Sequence, residues 1–340
     1  DELGWHDSGD AGLLVGLVLV YGLCICLPLL GHATMVFVQK FFSIGLGIAS
    51  ILLFVALVGD LDLGTRAGDA LSGKATLEMV LIAIGIAWAG GYSYMIVALD
   101  YPRYMPTNTP SKSIFWQVLI GSSLAAGFLG LVGTMIAAQT EGGFADPVAG
   151  VKPLVANWIY VVWILCAIGG SISNNALTLY SAGLAAQAAG LPLKRWQATV
   201  VDGIVAIAGL IYVLFIDSGN FFANLNSYIV LAICWIGPFG AVYLLDLWWR
   251  KWHVSPEDVE GKGSPFSGFT GSRRAAWIAS VTGIFVSLMT IASPKFNGPI
   301  AKALDTDLSW LTGPVVAGAI YWAMGRKQVL AETASHNAAV

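Results

Sequence analysis

Long apolar stretches alternate along the chain with short polar breaks. Nine stretches contain about the 20 predominantly apolar residues that a helix needs to cross the hydrocarbon core of a bilayer. The breaks between them hold Pro, Gly, Asn and charged residues. This pattern predicts an all-α polytopic membrane protein with spans at 11–30, 33–58, 76–99, 114–138, 154–189, 197–216, 222–248, 275–292 and 309–325.

The composition of the 340 residues points to the same class. Hydrophobic residues make up 57% and charged residues 11%, whereas roughly a quarter of the residues of an ordinary soluble domain are charged. Mean hydropathy is +0.75. Lys and Arg number 17 against 20 Asp and Glu, so the clustered basic excess of a nucleic-acid-binding protein is missing. These values exclude a soluble enzyme, a nucleic-acid partner and a disordered tail.

The sequence carries no signature of catalysis or of an organic cofactor. It has no phosphate-binding P-loop, no Gly-x-Ser-x-Gly motif and no pair of catalytic carboxylates. Cys24, Cys26, Cys166 and Cys234 lie inside apolar runs without a CxxC pair, which indicates core residues rather than a disulfide framework or a zinc site. We therefore expect a protein that is not an enzyme.

Basic residues in the loops predict the orientation, because cytoplasmic loops are rich in Lys and Arg. With the N-terminus outside and nine crossings, the C-terminus lies in the cytoplasm. The inside loops then hold Lys40, Arg103, Lys112, Lys194, Arg195, Arg250, Lys251, Lys262, Arg273, Arg274, Arg326 and Lys327. The outside loops hold Arg66, Lys74, Lys152, Lys295 and Lys302.

Two adjacent glycines, Gly90 and Gly91, interrupt the third span. Such a pair weakens a helix, and broken helices line the substrate sites of secondary transporters. Trp88, Tyr92 and Tyr94 stand beside the pair with Ser93, where aromatic rings could stack on a flat heterocycle. Close packing of two helices through small residues is an equally good interpretation.

The fifth span has a polar middle, GGSISNN, from Gly169 to Asn175. Polar groups at membrane depth usually face a bundle interior or a pathway. A carboxamide supplies both a donor and an acceptor, which suits the amide-like edge of a nucleobase, and Ser and Asn oxygens could ligate Na⁺. Hydrogen bonding between neighbouring helices is the alternative.

Pro238 and three acidic residues near span ends have structural interpretations. Pro238, inside the seventh span, predicts a kink that could act as a gate hinge. Asp100 beside Arg103, and likewise Asp202 and Asp246, predict ion pairs at helix ends rather than proton relays.

Three motifs carry a resemblance to a known family. The run from Ser173 to Gly190, SNNALTLYSAGLAAQAAG, resembles the eighth transmembrane helix of the nucleobase:cation symporter-1 family, closest to its purine-cytosine permease branch. The run from Asp100 to Pro106, DYPRYMP, is similar to the motif after helix six of that branch. IGPFG, from Ile236 to Gly240, followed by Asp246, resembles the end of helix ten.

The resemblance implies a fold and a domain organisation. The family has twelve helices, with two inverted five-helix repeats (the LeuT-like fold) and two extra C-terminal helices. The nine predicted spans then match helices four to twelve of an N-terminally truncated chain. Within one transmembrane domain, 1–340, they divide into the rest of the first repeat, the second repeat, the extra helices and a cytoplasmic tail, which are 1–75, 76–250, 275–325 and 326–340.

The resemblance also implies site residues. Ser173 and Asn174 fall where sodium-coupled relatives place two hydroxyl ligands, and Gly170 offers a carbonyl one turn earlier. Asn174 replaces one hydroxyl, as in proton-coupled relatives, so the co-transported cation is either Na⁺ or H⁺. Asn175 falls where the family hydrogen-bonds the nucleobase. The aromatic residue that stacks on the base falls at or near Tyr92, with Trp88, Ser93 and Tyr94 around it.

These observations predict a secondary transporter in the plasma membrane or the bacterial inner membrane. It would import a nucleobase, cytosine or a purine, by cation symport with alternating access, and would need no organic cofactor. The same fold could instead carry allantoin, hydantoin or a vitamin, or the chain could be a truncated membrane protein that does not transport. The oligomeric state is left open.

Overall fold

The computed structural model describes residues 9–59, 73–95, 97–100, 105–106, 108–140, 148–188, 190–216, 221–252, 269 and 271–339. In these ranges the chain is helical apart from turns, loops and one isolated antiparallel bridge, Ala292–Asn297. The predicted all-α class is confirmed. The helices are α1 (Gly9–Leu29), α2 (His32–Val58), α3 (Gly73–Met95), α4 (Ser111–Gln139), α5 (Asn157–Ala188), α6 (Arg195–Ile211), α7 (Phe221–Trp249), α8 (Gly271–Thr290), α9 (Pro299–Leu304) and α10 (Ser309–Ala339).

Six of the predicted spans are long, apolar helices in the described residues. A single turn of π-helix, Tyr212–Ile216, extends α6 toward the end of its predicted span. The six helices that could cross a membrane are Gly12–Leu29, His32–Val58, Ser111–Gln139, Asn157–Ala188, Arg195–Phe215 and Asn224–Trp249. Helices α3, α8 and α10 occupy the other three predicted spans, whose crossing of the membrane stays a prediction.

Helix α10 is longer than its predicted span, 309–325. It continues without a break through nearly all of the predicted tail and ends at Ala339. Residues 326–333, RKQVLAET, are mostly strong helix formers, and Val329 is fully buried. The tail is therefore a helical extension that packs against its unit.

The chain divides into two compact units. Unit 1 comprises 1–70 and 103–222 and contains α1, α2, α4, α5 and α6; unit 2 comprises 71–102 and 223–340 and contains α3, nearly all of α7, α8, α9 and α10. The predicted single domain and its internal boundaries at 75, 250 and 275 remain predictions.

Apolar side chains of α2, α4 and α5, together with Val151 from the segment before α5, form the main core of unit 1. It comprises Leu53, Leu57, Val132, Met135, Ile136, Val151 and Tyr160. A smaller cluster joins α2 to α5 through Met35, Leu177 and Tyr180. Both clusters include residues of α5, the helix that carries the polar segment of the fifth span.

Small residues bring the helices of unit 2 close together around Pro238. A Cβ on Gly283 of α8 would lie 2.8 Å from Cβ of Pro238, and a Cβ on Gly313 of α10 would lie 3.0 Å from Cγ of the same ring. Pro238 is fully buried. The proline of the predicted kink is therefore enclosed by two glycines on neighbouring helices.

Polar side chains close one end of unit 2, where α7 ends and α8 begins. Arg250 donates from Nε to Asp246 at 2.8 Å and from Nη2 to Glu332 at 2.8 Å. Ser272 donates its hydroxyl to Glu332 at 2.8 Å, and Tyr321 donates to Asp246 at 2.6 Å. The predicted ion pair of Asp246 at a helix end is confirmed, with Arg250 as its partner.

Candidate functional site

Small residues set the packing of α5 against α2. A Cβ on Gly169 would overlap the ring of Phe42, and a Cβ on Gly45 would lie 3.2 Å from Sγ of Cys166. Glycine is needed at such positions because the backbones approach closely. Gly169 therefore serves the close packing of α5 against α2.

The predicted cation ligands Gly170 and Ser173 lie next to each other on α5. Ser173 is 5% exposed, and its hydroxyl donates to the carbonyl oxygen of Gly170 at 3.0 Å. The hydroxyl keeps its acceptor lone pairs in this arrangement. Two oxygens thus stand side by side on the buried face of the helix. In the described residues, no group of three His, Cys, Asp or Glu side chains could hold a metal ion.

Another face of α5 carries a polar stripe. Ser171, Asn174 and Thr178 are exposed and Asn175 is half-buried. The spacing of i, i+3, i+4 and i+7 places all four side chains on one side of a helix. In the described part of the chain, the Asn175 carboxamide makes no hydrogen bond, whereas Thr178 donates to the carbonyl of Asn174 at 3.1 Å.

Ser171 and Thr178 were missing from the predicted site. The helical spacing of the four polar residues is the signal that could have found them, since the adjacent asparagines alone suggest two directions about 100° apart. The half-burial of Asn175 and the exposure of Asn174 agree with that divergence. We call Ser171, Asn174, Asn175 and Thr178 the α5 polar stripe.

The aromatic half of the predicted site lies on α3, in unit 2. The helix is continuous through Gly90 and Gly91, so of the two interpretations of this glycine pair the structure does not show the broken helix. Ser93 donates its hydroxyl to the carbonyl of Gly90 at 2.9 Å, which keeps a polar group satisfied beside the glycines. No described atom of unit 2 lies within 4 Å of a Cβ built on either glycine.

The other aromatic candidates share this helix. Tyr94 is 54% exposed. Trp88 and Tyr92 lie in α3 by their backbone, and their side chains are outside the described part of the structure. Each unit therefore holds one group of predicted site residues, the polar stripe with the cation ligands on α5 and the aromatic residues on α3.

The remaining predicted ion pairs have different outcomes. Arg103, the expected partner of Asp100, lies outside the described residues. Asp202, two turns into α6, has no ion-pair partner among the described residues, and its Oδ2 is buried. Arg195, the basic residue at the start of that helix, lies over the Tyr180 ring at 5.0 Å instead.

In the described part of the chain, six helices are long and apolar enough to cross a membrane, which indicates a multi-pass membrane protein. The chain belongs to the family described as permease for cytosine/purines, uracil, thiamine, allantoin, which matches residues 12–313. It is 23% identical over 320 residues to "Putative purine-cytosine permease YxlA" of Bacillus subtilis (strain 168), covering 92% of this chain and 67% of that protein. No solved structure gives a significant match.

Proposed function

We propose that this transporter imports a nucleobase, cytosine or a purine, by symport with Na⁺ or H⁺ through alternating access. The α5 polar stripe is the observation that carries the proposal. Four polar side chains aligned at mid-span depth are costly against lipid, so a helix that keeps them uses them to line a pathway. The family description, which names cytosine and purines, supports the substrate class.

Asn175 is the proposed residue that hydrogen-bonds the nucleobase. A carboxamide donates and accepts hydrogen bonds, as do the ring N–H and carbonyl of the base. The described residues leave this side chain without a hydrogen bond and only half-buried. The aromatic residues Tyr92, Trp88 and Tyr94, with Ser93, are the proposed stacking group, because the flat face of a base binds an aromatic ring.

The proposed cation site uses Gly170, Ser173 and Asn174. The carbonyl of Gly170 and the hydroxyl of Ser173 are 3.0 Å apart, and both are hard oxygen donors of the kind that Na⁺ prefers. Bound cation would then bias the inward–outward equilibrium next to the substrate residues on the same helix. The proposal needs no organic cofactor.

The proposed location is the plasma membrane or bacterial inner membrane, with the first described helix starting outside and the C-terminus in the cytoplasm. The excess of Lys and Arg in alternate loops supports this orientation, and it persists without Lys40, which the structure places inside α2. The packing in unit 2 agrees with alternating crossings, because the end of α7, the start of α8 and the late part of α10 meet around Arg250.

Uptake of radiolabelled cytosine and hypoxanthine by the complete protein tests the proposal. Asn175→Ala should weaken substrate affinity roughly five- to 150-fold, because an unpaired buried partner costs about 1–3 kcal/mol. Asn157→Ala, an exposed asparagine at the start of the same helix, is the matched control and should leave affinity unchanged. Wild-type affinity in Asn175→Ala would overturn the assignment.

A different cargo in the same site is the second candidate. The family description also names uracil, thiamine and allantoin, and hydantoin has a similar amide edge. Competition of unlabelled allantoin, hydantoin and thiamine against cytosine separates these substrates. Absence of uptake for all of them in a correctly inserted protein would favour a chain that does not transport.

A further inference from the structure

A cavity of about 330 Å³ lies within unit 2, between α7, α8 and α10. Its lining follows one face of α7 and one face of α8. From Phe239 to Asp246, the first and last α7 residues of its lining, it extends for about 10 Å at 1.5 Å of rise per residue, and it continues to Arg250 just beyond the end of the helix. We call it the α7–α8 groove, and it is lined by Phe239, Val242, Tyr243, Asp246, Arg250, Ser272, Arg273, Ala276, Trp277, Ser280 and Tyr321.

Polar and apolar residues separate along this groove. Asp246, Arg250, Ser272 and Arg273 lie at the end where α7 stops and α8 begins. Toward the middle of the two helices the lining becomes apolar and aromatic, with Ser280 as an exception. The membrane-length part of α7 ends at Trp249, so the polar end of the groove coincides with the end of that span.

Aromatic rings form the walls of the apolar half. Trp277 is 62% exposed and Phe239 is 50% exposed, and Phe239 stacks on Tyr243 with ring centroids 6.1 Å apart. Trp and Tyr are common at the boundary between hydrocarbon and headgroups, and the groove has both, Trp277 and Tyr243. A groove with such walls suits an acyl chain better than a water-soluble anion.

The carboxylates at the polar end are already occupied by protein donors. Asp246 accepts from Tyr321 and from Arg250, and Glu332 accepts from Arg250 and Ser272. Arg273 adds a second guanidinium to the lining. The described acidic residues of α7, α8, α10 and 250–252 are Asp246 and Glu332, whereas the described basic ones are Arg250, Lys251, Arg273, Arg274, Arg326 and Lys327.

We propose that the α7–α8 groove binds an anionic phospholipid, with its phosphate at the polar end beside Arg273 and an acyl chain along Phe239 and Trp277. Three features fit this ligand together: the length of the groove, its change from polar to apolar, and the positive charge at one end. Basic pockets between transmembrane helices bind anionic lipid headgroups for the same electrostatic reason. The groove shares no residue with the α5 polar stripe, so the proposal does not rest on the identity of the substrate.

Thermal unfolding of the purified complete protein in mild detergent tests the proposal. A ligand that binds the folded state raises the midpoint of unfolding. Dioleoylphosphatidylglycerol should raise it by several degrees, whereas dioleoylphosphatidylcholine, which has the same chains and no net charge, should raise it by less than half as much. Inorganic phosphate should have no effect, and an equal effect would indicate a site for a soluble anion and overturn the lipid assignment.

Variants locate the site. Arg273→Gln should remove more than half of the phosphatidylglycerol shift, and Ser280→Leu should do the same by filling the apolar half. Arg274→Gln is the matched control, since Arg274 is the neighbouring exposed arginine outside the groove lining. Native mass spectrometry of retained phosphatidylglycerol gives a second readout for a variant with a lowered midpoint. A full shift and full lipid retention in both Arg273→Gln and Ser280→Leu would refute the site.

Discussion

The guanidinium of Arg250 lies 2.8 Å from the carboxylate of Glu332, and 82 residues separate the two in the chain. The side chains are 7% and 24% exposed, respectively. Glu332 also accepts from the backbone N–H of Ser272 at 3.3 Å, at the start of α8, where the helix dipole favours a negative charge. One ion pair thereby fixes the end of α7, the start of α8 and the late part of α10 to one another.

Replacement of Arg250 by Met should destabilise the protein. It removes hydrogen bonds to Asp246, Glu332 and Ser272, and each hydrogen bond to a charged group contributes about 1.5–3 kcal/mol. Denaturant titration in mild detergent measures the change in the free energy of unfolding. Lys327→Met, an exposed site on α10, is the control, and an equal loss in both variants would contradict the importance of the network.

The same carboxylate makes stability depend on acid pH. Burial raises the pKa of Glu332, but hydrogen bonds from Arg250 and Ser272 outweigh it and hold this pKa below its ordinary value. The stabilisation is thus fully present above the ordinary Glu pKa of about 4.3 and is lost as the pH falls through the folded-state pKa.

Unfolding midpoints measured between neutral pH and the acid limit test this dependence. The wild-type midpoint should fall more steeply below the ordinary Glu pKa than the midpoint of Glu332→Gln, which cannot lose that charge. Parallel curves for the two proteins would show that Glu332 carries no pH-dependent stability.

Gly283→Ala should destabilise unit 2. The new Cβ would lie 2.7 Å from Cβ of Ala317, 2.8 Å from the carbonyl oxygen of Gly313 and 2.8 Å from Cβ of Pro238, and overpacking of this kind typically costs about 1–3 kcal/mol. Gly130→Ala in α4 is the matched control, because nothing lies within 4 Å of its Cβ and alanine is the better helix former by about 1 kcal/mol. The midpoint of unfolding should fall for Gly283→Ala only.

Tyr92→Phe should retain nucleobase uptake and Tyr92→Ala should lose it. Stacking uses the face of the ring and not the hydroxyl, and an aromatic–base contact contributes about 1–3 kcal/mol. Uptake kinetics with matched surface expression measure the difference. Equal losses in both variants would indicate a hydrogen bond from the hydroxyl, and unchanged uptake in both would move the stacking role to Trp88 or Tyr94.

The positions of the helices follow from the hydrophobic pattern, but the contacts that each helix makes depend on residues distant in sequence. The predicted fifth span, 154–189, becomes a helix at Asn157–Ala188, since its apolar residues and its length determine it locally. Glu332 falls in the predicted cytoplasmic tail, where the sequence gives it no partner. Arg250 is 82 residues away in the chain, and only the folding of unit 2 brings the two side chains together. A broken helix at Gly90 and Gly91 was one of two interpretations, and the helix is continuous there. A glycine costs only about 1 kcal/mol in a helix, which is less than the cost of the hydrogen bonds that a break in a membrane helix leaves unmade.

The candidate site was predictable to the extent that it lies on one helix. The relation of Gly170, Ser173 and Asn175 follows from helical geometry alone. Asp202 has no ion-pair partner among the described residues, contrary to the expectation. Arg195, the basic residue at the start of its helix, packs over Tyr180 of α5, a contact between two helices that no spacing rule contains. Local periodicity therefore identifies the stripe, whereas pairing between helices requires the structure.

The last prediction concerns the coupling cation. A ligand shifts the inward–outward equilibrium only by its differential affinity for the two states. The driving cation must therefore bind at a site whose occupancy changes that equilibrium. Ser173, whose hydroxyl is buried beside the Gly170 carbonyl, is the proposed position.

If Na⁺ drives transport, uptake at fixed pH should rise with external Na⁺, and Ser173→Ala should weaken that dependence. Ser122→Ala in α4 is the matched control, since its hydroxyl also bonds a carbonyl of its own helix, at 2.6 Å, outside the proposed site. Uptake that instead follows external acidity, and collapses with a protonophore in Na⁺-free buffer, would assign coupling to H⁺. In that case the neutral Ser173 and Asn174 could not carry the proton, and a carboxylate elsewhere would have to. Uptake that responds to neither Na⁺ removal nor a protonophore would show that the protein is a facilitator, because transport would then use no cation gradient.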